Sequence, residues 1–169
     1  MSRGVIKRTE LVGATLRLGS APMDLTPYAT TGLRIVTVGP SGIGKTNSGL
    51  LIGEQLAKQG WVSVFIDPEG EIASMYGDPV ASPQELRKLL EARSKPIIVV
   101  AAKDATEFIP YGLELLHAAD TVRKPMYVML DEGQLVSAGR KRANDIGEAS
   151  DIVNDLAERG RKRALDLFM

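Results

Sequence analysis

Leu33-Arg34-Ile35-Val36-Thr37-Val38-Gly39-Pro40-Ser41-Gly42-Ile43-Gly44-Lys45-Thr46-Asn47-Ser48-Gly49 joins an apolar run to a glycine-rich loop. Leu33, Ile35, Val36 and Val38 predict a short strand, and Gly39, Gly44, Lys45 and Thr46 complete the phosphate-loop pattern G-x-x-x-x-G-K-[ST]. The spacing has a chemical reason. Glycines let the backbone curl until several N–H groups face one anion, and the helix that follows adds the positive end of its dipole. Gly39, Pro40, Ser41, Gly42, Ile43, Gly44, Lys45, Thr46 and Asn47 are therefore the expected cradle. Lys45 would place a point charge on the β and γ phosphates of a nucleotide, and the Thr46 hydroxyl would ligate Mg2+.

The 169 residues, 44% hydrophobic and 25% charged, suit one soluble domain with a substantial core. No apolar run is long enough to span a membrane, and the first residues lack a signal peptide's hydrophobic segment. The absence of cysteine excludes disulfides and thiolate metal sites and fits a cytoplasmic location. A net charge of zero advertises no nucleic-acid partner, so DNA contact would rest on local clusters. Three basic clusters exist: Arg3 with Lys7 and Arg8, Arg140-Lys141-Arg142, and Arg159 through Arg163.

Residues 1–32 read as a small irregular β appendage, with Val5, Ile6, Leu11, Val12, Leu16 and Leu18 interrupted by Gly4, Gly13, Gly19 and Pro22. Residues 33–169 read as the core. A helix from Lys45 to Gln59, ended by Gly60, should turn Leu50, Leu51 and Leu56 to a sheet, with Gly49 and Gly53 allowing a close approach. Strands are expected at Trp61–Ile66, Ile97–Ala101, Met126–Leu130 and from Ala164. Ser82, Pro83 and Glu85 form a capping box ahead of Leu86, Leu89 and Leu90. Asp104 and Glu107 should cap a helix to Ala119 that Pro110 starts or kinks, and a last helix should run from Asn144 until Gly160 ends it. His117, a single imidazole among alanines and leucines, reads as structural. This alternation predicts an α/β three-layer sandwich with a mainly parallel sheet, whose ligands lie beyond the carboxyl ends of the strands.

Two acids, Asp131 and Glu132, close the strand Met126–Leu130. Ending a buried strand this way is costly unless a cation is near, and magnesium on a nucleotide is such a cation. Asp131 is thus the candidate metal-side acid, and Glu132 the candidate base that orients and deprotonates water. A GTPase reading is suggested by Asp67-Pro68-Glu69-Gly70 and Ser137-Ala138. It fails because no N-K-x-D or T-K-x-D follows a strand and Asp67 lies too close behind Lys45. A kinase reading lacks an arginine-rich lid.

Together, GPSGIGKTNSGLLIGEQLAKQG, VFIDPEGE, YVMLDEGQLV and ERGRKRALDLF resemble the HerA/FtsK superfamily of hexameric DNA-pumping ATPases, most nearly its HerA branch, from Leu33 to Met169. The resemblance implies a P-loop NTPase core of the RecA/ASCE type that uses ATP and Mg2+. It implies Asp131 and Glu132 as the Walker B pair, with Gln134 behind them. Asp67, and more distantly Glu71, would take supporting catalytic roles near the γ-phosphate, and Arg161, in the Gly160-Arg161-Lys162 motif, would be an arginine finger. A helix-terminal cation is the plain alternative for Arg161. The family also carries a larger N-terminal barrel and continues with a strand ending in a polar sensor, commonly threonine-glutamine. This sequence is therefore expected to be an incomplete core, with the loop's own strand left at an edge of a 5-1-4-3-2 sheet.

The expected function is a motor subunit of a double-stranded DNA translocase, assembling as a homo-oligomeric ring, with a nuclease or other protein as a possible partner and no membrane. Arg140, Lys141 and Arg142 are the candidate DNA contacts. The alternatives are a nucleotide-dependent switch that acts on a protein partner and an ATP-binding fragment deficient in hydrolysis.

Overall fold

The structure, a computed structural model, describes residues 14–28, 33–40, 42–121, 125–131, 143–163 and 165–168. The hairpin strands β1 (Thr15–Arg17) and β2 (Pro22–Asp24) come first. The core alternates β3 (Arg34–Ile35), α1 (Lys45–Lys58), β4 (Val62–Asp67), a single turn α2 (Ala73–Tyr76), α3 (Pro83–Ala92), β5 (Ile97–Ala101), α4 (Ala105–Thr121), β6 (Met126–Leu130), α5 (Ala143–Arg163) and β7 (Leu165–Phe168).

The five core strands pair only in parallel, in the order β3-β7-β6-β4-β5. Counted from β3 this is 1-5-4-2-3, not the expected 5-1-4-3-2. After β4 the chain crosses through α3 to the free side of β4, and α4 then returns it to the opposite side, where β6 and β7 follow. The expected consequence for the loop strand holds. Among the described residues β3 pairs with β7 alone, in the register Arg34 to Leu167 and Ile35 to Phe168. With one neighbour it stays at two residues, and Val36 and Val38, expected within it, are 63% and 92% exposed.

Alternate residues of the central strands serve two cores, as a sheet covered on both faces requires. Val62, Val64, Ile66, Val128 and Leu130 pack under α3, α4 and α5. Phe65, Val99, Tyr127 and Met129 pack with Ile52 and Leu56 of α1 and with Leu16 and Leu25 of the hairpin region. The expected face of α1 needs one correction. Leu50 and Leu56 are buried, but Leu51 is 44% exposed and Ile52 takes the interior place, because the buried stripe Gly49, Ile52, Gly53, Leu56 follows the 3.6-residue period.

The capping box forms as expected. Ser82 Oγ accepts from Glu85 N at 3.1 Å, and Glu85 Oε2 accepts from Ala81 N at 2.7 Å. Asp104 and Glu107 repeat the arrangement at α4, where Pro110 lies inside the helix instead of starting it. Gly160 likewise does not end α5, which continues to Arg163. His117 is a surface residue 4.0 Å from Glu91.

The hairpin is held to α1 by an unusual ladder. Gln55 accepts from Arg17 N at 2.6 Å and donates to Arg17 O at 3.0 Å, and Gln59 does the same for Thr15 at 2.8 and 2.7 Å. Four helical residues rise ~6 Å and two strand residues ~6.8 Å, so amides at i and i+4 of a helix can match alternate residues of a strand. Two glutamines thus stand in for a third strand. The double change Gln55→Ala with Gln59→Ala should cost roughly 1–2 kcal/mol, read as a lower urea midpoint. An unchanged midpoint would show that burial of Leu16 and Leu25 holds the hairpin without the ladder.

Candidate functional site

The site is built where α1 begins. Gly42 and Gly44 have φ of 80° and 94°, the left-handed region that favours glycine, and such turns gather successive N–H groups around an anion. Gly44 is the N-cap residue of α1 and offers its first turn no side-chain cap. The helices α3, α4 and α5 carry Glu85, Glu107 and Asp145 in their first turns, whereas α1 carries no acid there. Its positive end is thus left for an external anion.

Lys45 reaches back over the loop. Its Nζ donates to Gly39 O at 2.9 Å and to Pro40 O at 3.0 Å, which fixes the ammonium above the turn. Pro40, Ile43 and Asn47 lie exposed around the rim, and Ser41 lies outside the described residues. Gly39 is closely approached: a Cβ there would meet Ile43 Cγ2 at 3.1 Å.

The second half of the site arrives on β6. Thr46 Oγ1 donates to the Asp131 carboxylate, 2.9 Å from Oδ1 and 3.0 Å from Oδ2. Residues 85 positions apart in the chain are thereby joined, although β7 separates β6 from the loop strand. They meet because α1 leaves the end of β3 and crosses to pack on β4, β6 and β5. A hydroxyl beside a carboxylate is an all-oxygen donor pair that suits Mg2+, which keeps waters and substrate phosphates as its other ligands. Among the described residues no three His, Cys, Asp or Glu side chains cluster to hold a metal, and this mode of binding needs none.

Asp67 ends β4, the strand next to β6, but its carboxylate is otherwise engaged. Oδ1 accepts from Gly70 N at 2.8 Å, and Oδ2 accepts from Ile72 N at 2.9 Å and Ala73 N at 3.1 Å. The residue is 2% exposed. It therefore ties down the turn Pro68-Glu69-Gly70-Glu71, where Gly70 has φ 80° and Glu69 and Glu71 face solvent. Arg161 falls on the last turn of α5, immediately before β7. Glu132, Gln134, Arg140, Lys141 and Arg142 lie outside the described residues.

Two contacts beneath the site were not anticipated. Ser63 Oγ donates to Gly53 O at 2.8 Å and Tyr127 Oη donates to Gly49 O at 2.9 Å, both fully buried. The signal lay in the strands themselves: a serine among valines and a tyrosine in an apolar run must find hydroxyl partners when buried. The paired helix glycines supply reachable carbonyls.

No protein-family model and no curated protein matches the chain. A solved structure does, the pCW3 conjugation coupling protein TcpA in its monomer form with ATPγS, at TM-score 0.53 and 18% identity, over 99% of this chain and 50% of that one. The chain thus spans half the length of the protein it resembles. At that identity the likeness bears on architecture, and with the parallel sheet, the loop after β3 and the acid at the end of β6 it gives the conclusion: the chain has the α/β fold of a P-loop NTPase core.

Proposed function

We propose that this chain is the ATP-binding and hydrolysing core of a DNA-translocating motor of the HerA/FtsK type. The observation that carries the proposal is the meeting of Thr46 and Asp131 at the mouth of the loop. A hydroxyl and an acid from distant parts of the chain converge where the phosphates of a nucleotide would lie. The architecture shared with a conjugation coupling protein solved with ATPγS supports the extension to DNA transfer.

In this reading the loop N–H groups and the start of α1 bind the phosphates, and Lys45 neutralises charge on the β and γ groups. Thr46 and Asp131 hold Mg2+, which when bound supplies the charge that polarises the γ-phosphate. Glu132 orients and deprotonates the attacking water, and Arg161 stabilises charge developing on the phosphoryl group. Asp67 acts on the site through the turn it holds, with Glu71 presented by that turn. Arg140, Lys141 and Arg142 contact double-stranded DNA in a ring of subunits.

Glu132→Gln should bind ATP with wild-type affinity and lower turnover at least ~100-fold, since one general base contributes 10²–10⁴. Near-normal hydrolysis by this variant would remove Glu132 from the role. For the DNA step, duplex DNA should bind and raise ATP turnover at low salt, with affinity falling steeply as salt rises. Nucleotide turnover indifferent to DNA would instead favour a switch acting on a protein partner, a reading that the net charge of zero suits.

A further inference from the structure

Two side-chain hydrogen bonds join α1 to β6 and the residue that follows it. At the carboxyl end of the strand Asp131 accepts from Thr46, and four residues earlier Tyr127 donates its phenol to Gly49 O at 2.9 Å. We propose that Tyr127 is a positioning residue for the metal pair, setting the register of α1 along β6 so that Thr46 Oγ1 comes level with the Asp131 carboxylate. The inference rests on the nucleotide-binding reading above.

Three observations carry it. Gly49 O is only three residues beyond Thr46, within the same rigid helix, so fixing one fixes the height of the other. The phenol has no freedom to follow a sliding helix: Tyr127 is 1% exposed, and its ring lies against Gly53, where a Cβ would stand 3.1 Å from Cε1. Finally, the hydrogen bond adds a directed constraint along the axis of α1 to the close packing of the Tyr127 ring on Gly53. Aliphatic packing is non-directional, while a hydroxyl-to-carbonyl bond weakens steeply with misalignment. Ser63 makes the parallel bond to Gly53 O from β4, a strand that carries no part of the Thr46–Asp131 pair. Ser63 is the register partner of Tyr127 across β4 and β6, so both hydroxyls brace the same stretch of α1, but only Tyr127 stands on the strand that delivers Asp131.

Tyr127→Phe isolates the effect. The ring still fills its place, and Gly49 O lies within α1, where it keeps its helical N–H partner, so no buried acceptor is orphaned. The measurement is the dissociation constant of ATPγS with Mg2+ and with EDTA, on the full chain, for wild type, Tyr127→Phe and Ser63→Ala. Wild type should bind more tightly with Mg2+. In Tyr127→Phe that gain should shrink about fivefold, the effect of one buried hydrogen bond, with affinity in EDTA unchanged. Ser63→Ala should keep the wild-type ratio.

An undiminished magnesium gain in Tyr127→Phe would overturn the inference and leave the nucleotide site standing. An equal loss in Ser63→Ala would also overturn it, by assigning the effect to general loosening of α1. Wild-type protein that bound no ATPγS under either condition would overturn the functional reading and this inference together.

Discussion

Lys45→Ala is expected to abolish measurable binding of ATPγS while the protein stays folded. The ammonium is held by Gly39 O and Pro40 O at 2.9 and 3.0 Å, so it stands preorganised over the loop with no carboxylate to neutralise it among its hydrogen-bond partners. A phosphate entering the cradle meets a positive charge whose orientation has already been fixed. Truncation removes that charge and the tie across the loop together. Removing one partner of a desolvated charged pair costs 2–5 kcal/mol, and about 3 kcal/mol is more than a hundredfold in affinity. Far-UV circular dichroism should not change, because Lys45 is only half-buried and packs in neither core. Calorimetric titration makes the check, and affinity within threefold of wild type would remove the loop from nucleotide binding.

The second large effect concerns stability. A Cβ at Gly53 would stand 2.4 Å from Phe65 Cε1 and 2.6 Å from Cζ, well inside van der Waals contact. The Phe65 ring cannot retreat, since it is fully buried and edge-on to Tyr76 at 5.1 Å. Tyr76 is itself tethered through its hydroxyl to Glu54. Alanine would gain ~1 kcal/mol of helix propensity against an overpacking cost of ~1–3 kcal/mol. Valine adds a branch facing the same ring, so Gly53→Val should lose about 3 kcal/mol and lower Tm by about 10 °C. The matched control is Gly147→Ala in α5, where nothing lies within 4 Å and a gain of up to ~1 kcal/mol is expected. Equal thermal stability of Gly53→Val and wild type would show that α1 does not need its close approach to β4.

What could be read from sequence follows a physical division. Strands β5 and β6 fall where their unbroken apolar runs place them, because burial on both faces leaves little ambiguity of length. The capping box at Ser82 and the glycine at Gly60, with φ 92° just past α1, were equally legible, since each depends on local geometry alone. The loop and the acid that answers it were legible as chemistry. Their union at Thr46 and Asp131 was legible in that chemistry, since both were expected at one magnesium, but the route to it, the crossing of α1 over the sheet, was not.

The misses share a cause. Gly60 and Gly160 look alike in sequence, yet only the first ends a helix. Around Gly160, Arg159 and Arg161 are good helix formers, and a cationic last turn complements the dipole, which offsets the ~1 kcal/mol cost of an interior glycine. Leu33 to Val38 has the composition of a longer strand, but a strand's length is set by its neighbours, and among the described residues β3 has one. The engagement of the Asp67 carboxylate by three backbone donors was hidden as well, because they come from a turn whose shape no spacing rule gives.

The glutamine ladder has an evolutionary consequence. Gln55 and Gln59 grip only main-chain atoms of Thr15 and Arg17, so they are indifferent to which side chains those two positions bear. Drift at positions 15 and 17 should be nearly free, whereas a single inserted or deleted residue between them would turn Leu16 out of the interior and present the amides with the wrong peptide groups. Selection on this part of the molecule would therefore act on spacing in the hairpin and on identity in the helix.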